Sequence, residues 1–237
     1  MTDVHGCWLP DDRRYSLAHD VWLQATADGT VRLGLMSPLV AFMGIATSFS
    51  FRPDEPVSER GRSVGTVESV RFTGAVRLPL AARVIERNGR LLSTPRLLND
   101  DPYGEGWVVR IAPVSPSDVD RYTVPAEATV AELDERIRRL GIRCWPRVPD
   151  VELVELGLEC SAIFAKLDDE LARRPSGSAV LLVTDDPTSP IEMVRYTDRT
   201  GHAVLAHRTE DDRHYFLVRK RSEGDRGGVG TDGRRFG

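Results

Sequence analysis

The chain of 237 residues carries a net charge of −4, and 41% of its residues are hydrophobic. This length and apolar content suffice for two modest domains, and arginines interspersed with acids form no basic surface typical of nucleic-acid binding. No apolar run reaches membrane-spanning length, and the N-terminus lacks a basic-then-apolar signal. We therefore expect a cytoplasmic protein with no membrane or nucleic acid as partner.

The first half of the chain has the pattern of an antiparallel β domain. Short apolar runs bounded by Gly, Pro, Asn and Asp predict strands at residues 30–35, 65–70, 81–85 and 107–111. Asp28-Gly29 and Asn88-Gly89 are two-residue signals for hairpin turns. An amphipathic helix is then predicted over Val130–Leu140, with Gly141 ending it.

The second half of the chain has a different pattern. Two prolines within residues 146–150 (PRVPD) predict a short linker. Strands and helices then follow in the order βαβαββ, which predicts a two-layer α/β sandwich and makes the whole chain a two-domain α+β protein. These elements are predicted at 151–156, 162–173, 178–183, 189–199, 202–207 and 214–219. Residues 221–237, rich in Gly, Arg and Asp, are expected to be disordered.

The three cysteines, Cys7, Cys144 and Cys160, show no framework spacing, and an odd number fits a reducing compartment. Cys160 lies at the predicted start of a helix, where unpaired N–H groups and the helix dipole stabilise a thiolate. The alternative is a small buried hydrophobic residue, a common environment for free cysteines, and the neighbouring Glu159 would raise the pKa of the thiol. We favour a reactive thiol because Cys160 lies at the predicted start of a helix.

The five histidines show no metal-ligand spacing. Three of them, His202, His207 and His214, fall on the last two predicted strands, and we interpret them as surface residues because no ordered ligand set accompanies them. No metal or cofactor site is predicted.

Three segments in order carry a family resemblance, namely residues 15–22 (YSLAHDVW), 27–35 (ADGTVRLGL) and 98–107 (LNDDPYGEGW). Through them, residues 14–145 resemble the H protein of the glycine cleavage system, a lipoyl-carrying shuttle. The resemblance implies an antiparallel β hybrid barrel-sandwich, with residues 1–13 as an N-terminal extension.

Residues 65–71 (GTVESVR) resemble the family's lipoyl hairpin, in which a lysine following Glu-Ser-Val is acylated by lipoate. Arg71 takes the position of that lysine, and a guanidinium stays protonated and offers no amine for an ordinary amide link. The two lysines, Lys166 and Lys220, lie outside this domain. We expect a degenerate lipoyl site without lipoate, which argues against a third alternative, a working glycine-cleavage H protein. Arg71 is then either a solvated hairpin tip or, with Phe72, a protein-docking point.

A second resemblance is carried by residues 156–160 (LGLEC), 183–187 (VTDDP), 200–202 (TGH) and 215–220 (YFLVRK). Residues 151–220 are similar to the TusA family of sulfur carriers, in which the cysteine at the position of Cys160 carries a persulfide. The family's Cys-Pro-x-Pro is here Cys160-Ser161-Ala162-Ile163, so the prolines that pre-set the first helical turn are missing.

The two resemblances together imply a cytosolic sulfur carrier. A cysteine desulfurase or a rhodanese-like donor would place sulfur on Cys160, the catalytic residue, and a downstream enzyme would accept it, with the H-like domain as docking module. Cys144 either relays this sulfur or lines the domain junction, and Cys7 is expected in a loosely held segment. Such carrier chemistry need not be enzymatic turnover. The alternative is a catalytically silent adaptor built from two degenerate carrier domains.

Overall fold

A computed structural model of the chain describes residues 1–53 and 57–222, except for the side chain of Cys160. The chain divides into two compact units, Met1–Val148 and Pro149–Gly237. Most of the tail predicted to be disordered, residues 223–237, lies outside the described residues. In the described part, no helix is both long and apolar enough to cross a membrane.

The described residues of the first unit form three antiparallel sheets. Six strands form one sheet in the order β11-β3-β4-β5-β10-β9, three form another in the order β6-β7-β8, and β1 pairs with β2. The strands are β1 (Thr2–Val4), β2 (Cys7–Leu9), β3 (Arg14–Ser16), β4 (Val21–Ala25), β5 (Val31–Leu35), β6 (Ala46–Phe51), β7 (Ser63–Ser69), β8 (Thr73–Arg77), β9 (Ala82–Arg87), β10 (Trp107–Pro113) and β11 (Val124–Pro125). The helices are α1 (Ser37–Met43), α2 (Arg90–Ser93), α3 (Leu97–Asp100), α4 (Ser117–Tyr122) and α5 (Val130–Leu140), with a 3-10 turn at Ala126–Thr129.

The larger core of this unit lies between the six-stranded and three-stranded sheets. Alternate residues of β4 and β5 point into it, so Leu23 and Leu33 pack in one cluster with Phe49 and Val67 of the opposite sheet. This face-to-face packing makes the unit a β-sandwich.

A second core lies on the other face of the six-stranded sheet. Trp22, which alternates with Val21 and Leu23 along β4, packs there with Leu133 and Ile137 of α5. A Cβ on Gly34 would lie 2.5 Å from the Trp22 ring, so only glycine leaves room for the indole on the neighbouring strand. The predicted bounds of α5 are confirmed, and Gly141 ends the helix in the left-handed conformation.

The second unit has the predicted order βαβαββ. Its elements are β12 (Val151–Glu155), α6 (Cys160–Ala172), β13 (Ala179–Thr184), α7 (Ser189–Thr200), β14 (Ala203–Glu210) and β15 (Arg213–Arg219). The strand order is β12-β13-β15-β14, and β12 runs parallel to β13 because α6 crosses over between them. The helices pack on one face of the sheet, with Leu167 and Tyr196 against Val180, Leu182 and Phe216.

Two sequence predictions about the first unit are wrong. Asn88-Gly89 does not turn a hairpin, because the Asn88 amide donates to the carbonyls of Glu105 and Trp107 at 2.8 and 2.7 Å and the chain continues into α2. The segment around Cys7 is not loosely held, because Val4, Cys7 and Leu9 are buried in the second core.

Candidate functional sites

The position corresponding to the lipoyl lysine lies at the turn between β7 and β8. The turn is closed by a bond from the Ser69 N–H to the Phe72 carbonyl over 2.8 Å, and the Ser69 hydroxyl donates to the Met43 carbonyl over 2.6 Å. Val70 at the tip is 97% exposed, and Arg71 is also exposed. The Glu-Ser-Val-Arg sequence therefore forms an outward-facing tip.

The Arg71 side chain turns back onto the end of α1. Its Nη2 donates to the Ala41 carbonyl over 3.3 Å, and a Cβ on Gly44 would lie 3.2 Å from its Nε. A guanidinium near helix-terminal carbonyls complements their partial negative charge. Arg71 is thus placed by protein contacts and supplies no acylable amine.

Phe72 extends the exposed tip with an apolar surface. Its ring meets the ring of Phe42 edge-on, with centroids 6.2 Å apart, while its other contacts reach the larger core. Phe42 remains 42% exposed. The structure brings Arg71 and Phe72 together with Phe42 and Val70, and both alternatives for Arg71, solvated tip and docking point, are compatible with this geometry.

The structure contradicts a relay role for Cys144, because Cys144 and Cys7 form a disulfide with Cα atoms 4.9 Å apart. Cys7 is 0% and Cys144 is 3% exposed. A disulfide-bonded cysteine has no free thiol that could accept the outer sulfur of a persulfide. The burial of both cysteines also keeps a donor protein away from them. No local sequence pattern predicts this bond, because its partners are 137 positions apart. The absence of a spacing pattern is therefore no indication that the thiols stay reduced.

Cys160 lies at a helix N-terminus, as predicted, and is the first residue of α6, which begins two residues before the predicted start at residue 162. Glu159 precedes it in extended conformation, with φ −72° and ψ 150°, and the Glu159 carbonyl accepts the Ala162 and Ile163 N–H groups at 3.0 and 3.2 Å. The helix therefore begins at Cys160 even though Ser161 and Ile163 occupy the positions at which the TusA family has prolines.

The loop that leads to Cys160 lies at the edge of the sheet where β12 and β13 end. Because these strands are parallel, with Glu155 opposite Thr184, their following loops are adjacent. The N–H of Gly157 donates to Asp185 Oδ1 over 2.8 Å, which joins the two loops. Glu155 also pairs with Lys166 of α6 over 2.6 Å. Asp185 belongs to the segment 183–187 that carries the second resemblance, and its place directly after a buried strand is the signal that identifies it as a candidate site residue.

The histidines of the second unit form contacts that the sequence did not predict. His207 stacks on Phe216 with centroids 4.3 Å apart, and its Nε2 lies 3.4 Å from Nδ1 of His214. Burial, and secondly the charge of His214, lower the pKa of His207. Burial likewise lowers the pKa of His202, which packs near the Tyr196 ring. Among the described residues, no group of three or more His, Cys, Asp or Glu could hold a metal ion.

Comparison with known proteins relates the first unit to one family. The glycine cleavage H-protein family model matches residues 13–136. Glycine cleavage system H protein 5 of Aquifex aeolicus is 31% identical over 148 residues, which is 61% of this chain and 99% of that protein. The Mycolicibacterium gilvum H protein is 38% identical over 103 residues, 44% of this chain and 78% of that protein.

A solved H-protein structure from Mycobacterium marinum is 27% identical, with a TM-score of 0.47, and covers 53% of this chain and 98% of that one. The family match shows that the chain belongs to the glycine cleavage H-protein family. The resemblance of its N-terminal region to H proteins is thereby confirmed. The matched residues, 13–136, all lie in the first unit.

Proposed function

We propose that this protein is a cytoplasmic sulfur carrier whose Cys160 receives sulfur as a persulfide and passes it to a partner enzyme. The observation that carries the proposal is the position of Cys160 as the first residue of the 13-residue helix α6. The unpaired N–H groups and the dipole at such a position favour a thiolate. The resemblance of residues 151–220 to the TusA family supports the same residue.

The transfer follows ordinary thiol–persulfide exchange. The Cys160 thiolate attacks the outer sulfur of a donor persulfide, a new S–S bond forms at Cys160, and the donor's S–S bond breaks to release the donor as a thiolate. No net oxidation occurs, and the proton of the outer sulfur stays with it. An acceptor thiolate then repeats the step on Cys160. A cysteine desulfurase or a rhodanese-like protein is the donor class that supplies such a persulfide.

We assign the H-like unit a docking role. Its position for a lipoyl lysine holds Arg71, whose side chain is bound to the Ala41 carbonyl. The tip instead presents Val70 together with the partly exposed rings of Phe42 and Phe72. Arginine and aromatic residues are favoured anchors in protein interfaces. A cytoplasmic location is compatible with the Cys7–Cys144 disulfide, because its burial shields it from thiol reductants.

The second candidate is a catalytically silent adaptor. Two specific observations favour it, since Arg71 replaces the acylable lysine and Ser161 and Ile163 replace the prolines of the sulfur-carrier motif. Under this alternative the surfaces of both units bind partner proteins, and Cys160 carries no sulfur. The two candidates differ in whether Cys160 changes mass in the presence of a sulfur donor.

The test is sulfur loading followed by intact mass. The purified chain is incubated with a cysteine desulfurase and cysteine, and in parallel with a rhodanese and thiosulfate. We expect the added mass of one sulfur atom, removable by a reductant, in the wild type and in the Cys7→Ala/Cys144→Ala control. Cys160→Ser, which is nearly isosteric, is expected to gain none. A wild type that stays unloaded with every donor, with Cys160→Ser behaving as wild type in its host, would support the adaptor.

A further inference from the structure

Asp185 connects two loops that are separate in sequence. It directly follows β13, and its Oδ1 accepts the N–H of Gly157, which precedes Cys160 by three positions, over 2.8 Å. The parallel pairing of Glu155 with Thr184 places both loops at the same edge of the sheet. The carboxylate thus holds the loop that leads into α6 against the loop that leads into α7.

The loop held in this way is short and has an unusual backbone. Only residues 156–159 separate β12 from α6, and Gly157 within them has φ +68°. A left-handed residue in a four-residue connection largely sets the direction in which the chain enters the helix. In the part of the chain that the structure describes, no side chain caps the N-terminus of α6. The Asp185–Gly157 bond therefore helps to define where the first turn of α6 begins.

We propose that Asp185 is the positioning residue for Cys160: its bond to Gly157 keeps Cys160 in the first turn of α6, where the helix N–H groups favour the thiolate. This inference rests on the proposed function only in that it takes Cys160 as the residue that accepts sulfur. Asp185, in the loop that follows β13, acts through the loop before α6 and does not itself react.

Asp185 acts on Cys160 in two opposed ways, and an experiment has to separate them. The hydrogen bond fixes the loop that leads into α6 and so favours a thiolate on the first residue of that helix, whereas the negative charge of Asp185 disfavours formation of a thiolate. Asp185→Asn removes the charge and keeps an acceptor oxygen in the same place. Asp185→Ala removes both, so the difference between Asn and Ala reports the hydrogen bond alone.

The measurement is the rate at which iodoacetamide alkylates Cys160 in the full chain, followed by intact mass across a pH series. The disulfide keeps Cys7 and Cys144 from reacting. At neutral pH we expect Asp185→Ala to react about threefold more slowly than Asp185→Asn, as expected for losing about 0.6 kcal/mol of helix-terminus stabilisation. Its rate–pH profile should shift toward alkaline pH. The exposed Asp198→Ala on α7 is the control and should retain the wild-type profile.

Equal profiles for Asp185→Asn and Asp185→Ala, or a faster Ala variant, would overturn the inference. If Asp185→Ala fails to fold, as judged by circular dichroism, Asp185→Glu takes its place. Its longer side chain displaces the acceptor, so it should also react more slowly than Asp185→Asn, and an equal or faster rate overturns the inference. Alkylation requires no sulfur donor. A wild type that accepts no sulfur would therefore refute the proposed function and leave this comparison intact.

Discussion

Cys7 and Cys144 are joined by a disulfide that connects β2 with the segment following α5. Both side chains lie in the core that also contains Trp22 and Ile137. The bond spans 137 positions and so connects the beginning and the end of the H-like unit. Cys7 and Cys144 together form a structural cross-link, so neither the loosely held segment expected around Cys7 nor a relay thiol at Cys144 is present.

Removing this cross-link should destabilise the H-like unit. Because a disulfide that closes a long loop restricts the unfolded chain, we expect Cys7→Ala/Cys144→Ala to lower the free energy of unfolding by about 2–5 kcal/mol. Urea unfolding followed by tryptophan fluorescence measures this unit specifically, since Trp8, Trp22, Trp107 and Trp145 all precede residue 149. The Cys160→Ala control should leave the transition unchanged. Alkylation of all three cysteines in the unreduced, urea-unfolded wild type would contradict the disulfide itself.

The H-like unit should carry no lipoate. The expectation follows from Arg71 at the acylation position and from the absence of any lysine before Lys166. The chain is co-expressed with a lipoate ligase in medium containing lipoate and probed with an anti-lipoyl antibody, alongside a lysine-bearing lipoyl protein as positive control. Arg71→Gln is the matched variant and should give the same blank result. A lipoyl signal in a peptide from residues 1–148 would refute the prediction.

The two units should fold separately. Each has its own buried cluster, with Leu33 and Trp22 in the first and Leu182 and Phe216 in the second. We expect fragments 1–148 and 149–222 to give dispersed NMR spectra and cooperative unfolding, and limited proteolysis to cut within residues 146–150. Unfolded fragments together with one shared transition in the full chain would instead indicate a single cooperative unit.

Acid should destabilise the second unit through His207. Its folded pKa is lowered, mainly by burial against Phe216, so the unfolded state binds the proton more readily. The contribution is fully present above the unfolded pKa of about 6.5 and is lost as the pH falls through the folded pKa. His202 shifts in the same direction. Urea unfolding of fragment 149–222 should therefore show a lower midpoint at mildly acidic than at neutral pH.

The matched variants identify the source of this pH dependence. His207→Gln should reduce the loss of stability between neutral and mildly acidic pH, because the buried ring no longer resists protonation. Asp198→Asn, at an exposed position on α7, should retain the wild-type difference. A His207→Gln fragment with an unchanged pH dependence would show that other groups control it.

Local patterns predicted much of the architecture. The α5 bounds were readable because an apolar stripe ends at Gly141, which supplies the left-handed residue. The order βαβαββ was readable because buried strands such as β13 alternate with amphipathic helices. The hairpin predicted at Asn88-Gly89 is wrong because the Asn88 amide donates to two carbonyls that are distant in sequence. These tertiary contacts override the turn preference of Asn-Gly.

The candidate site around Cys160 was predicted only in part, because some of its contacts are also tertiary. The helix start at Cys160 follows from local sequence, whereas the Asp185–Gly157 bond depends on the parallel pairing of β12 with β13. The Cys7–Cys144 bond depends on a contact between segments that no local pattern connects. Long-range pairings of this kind are properties of the folded chain and leave little trace in short windows of sequence.

Whether Cys160 carries the sulfur is decided by locating the added sulfur atom after loading. The donor-treated protein is alkylated without reduction and digested, and the peptide spanning Cys160 is sequenced by mass spectrometry. We expect one extra sulfur atom between Cys160 Sγ and the alkyl group, with Cys7 and Cys144 recovered as a linked pair. Extra sulfur on either of those two cysteines, or a Cys160 peptide alkylated without sulfur under every donor, would contradict it.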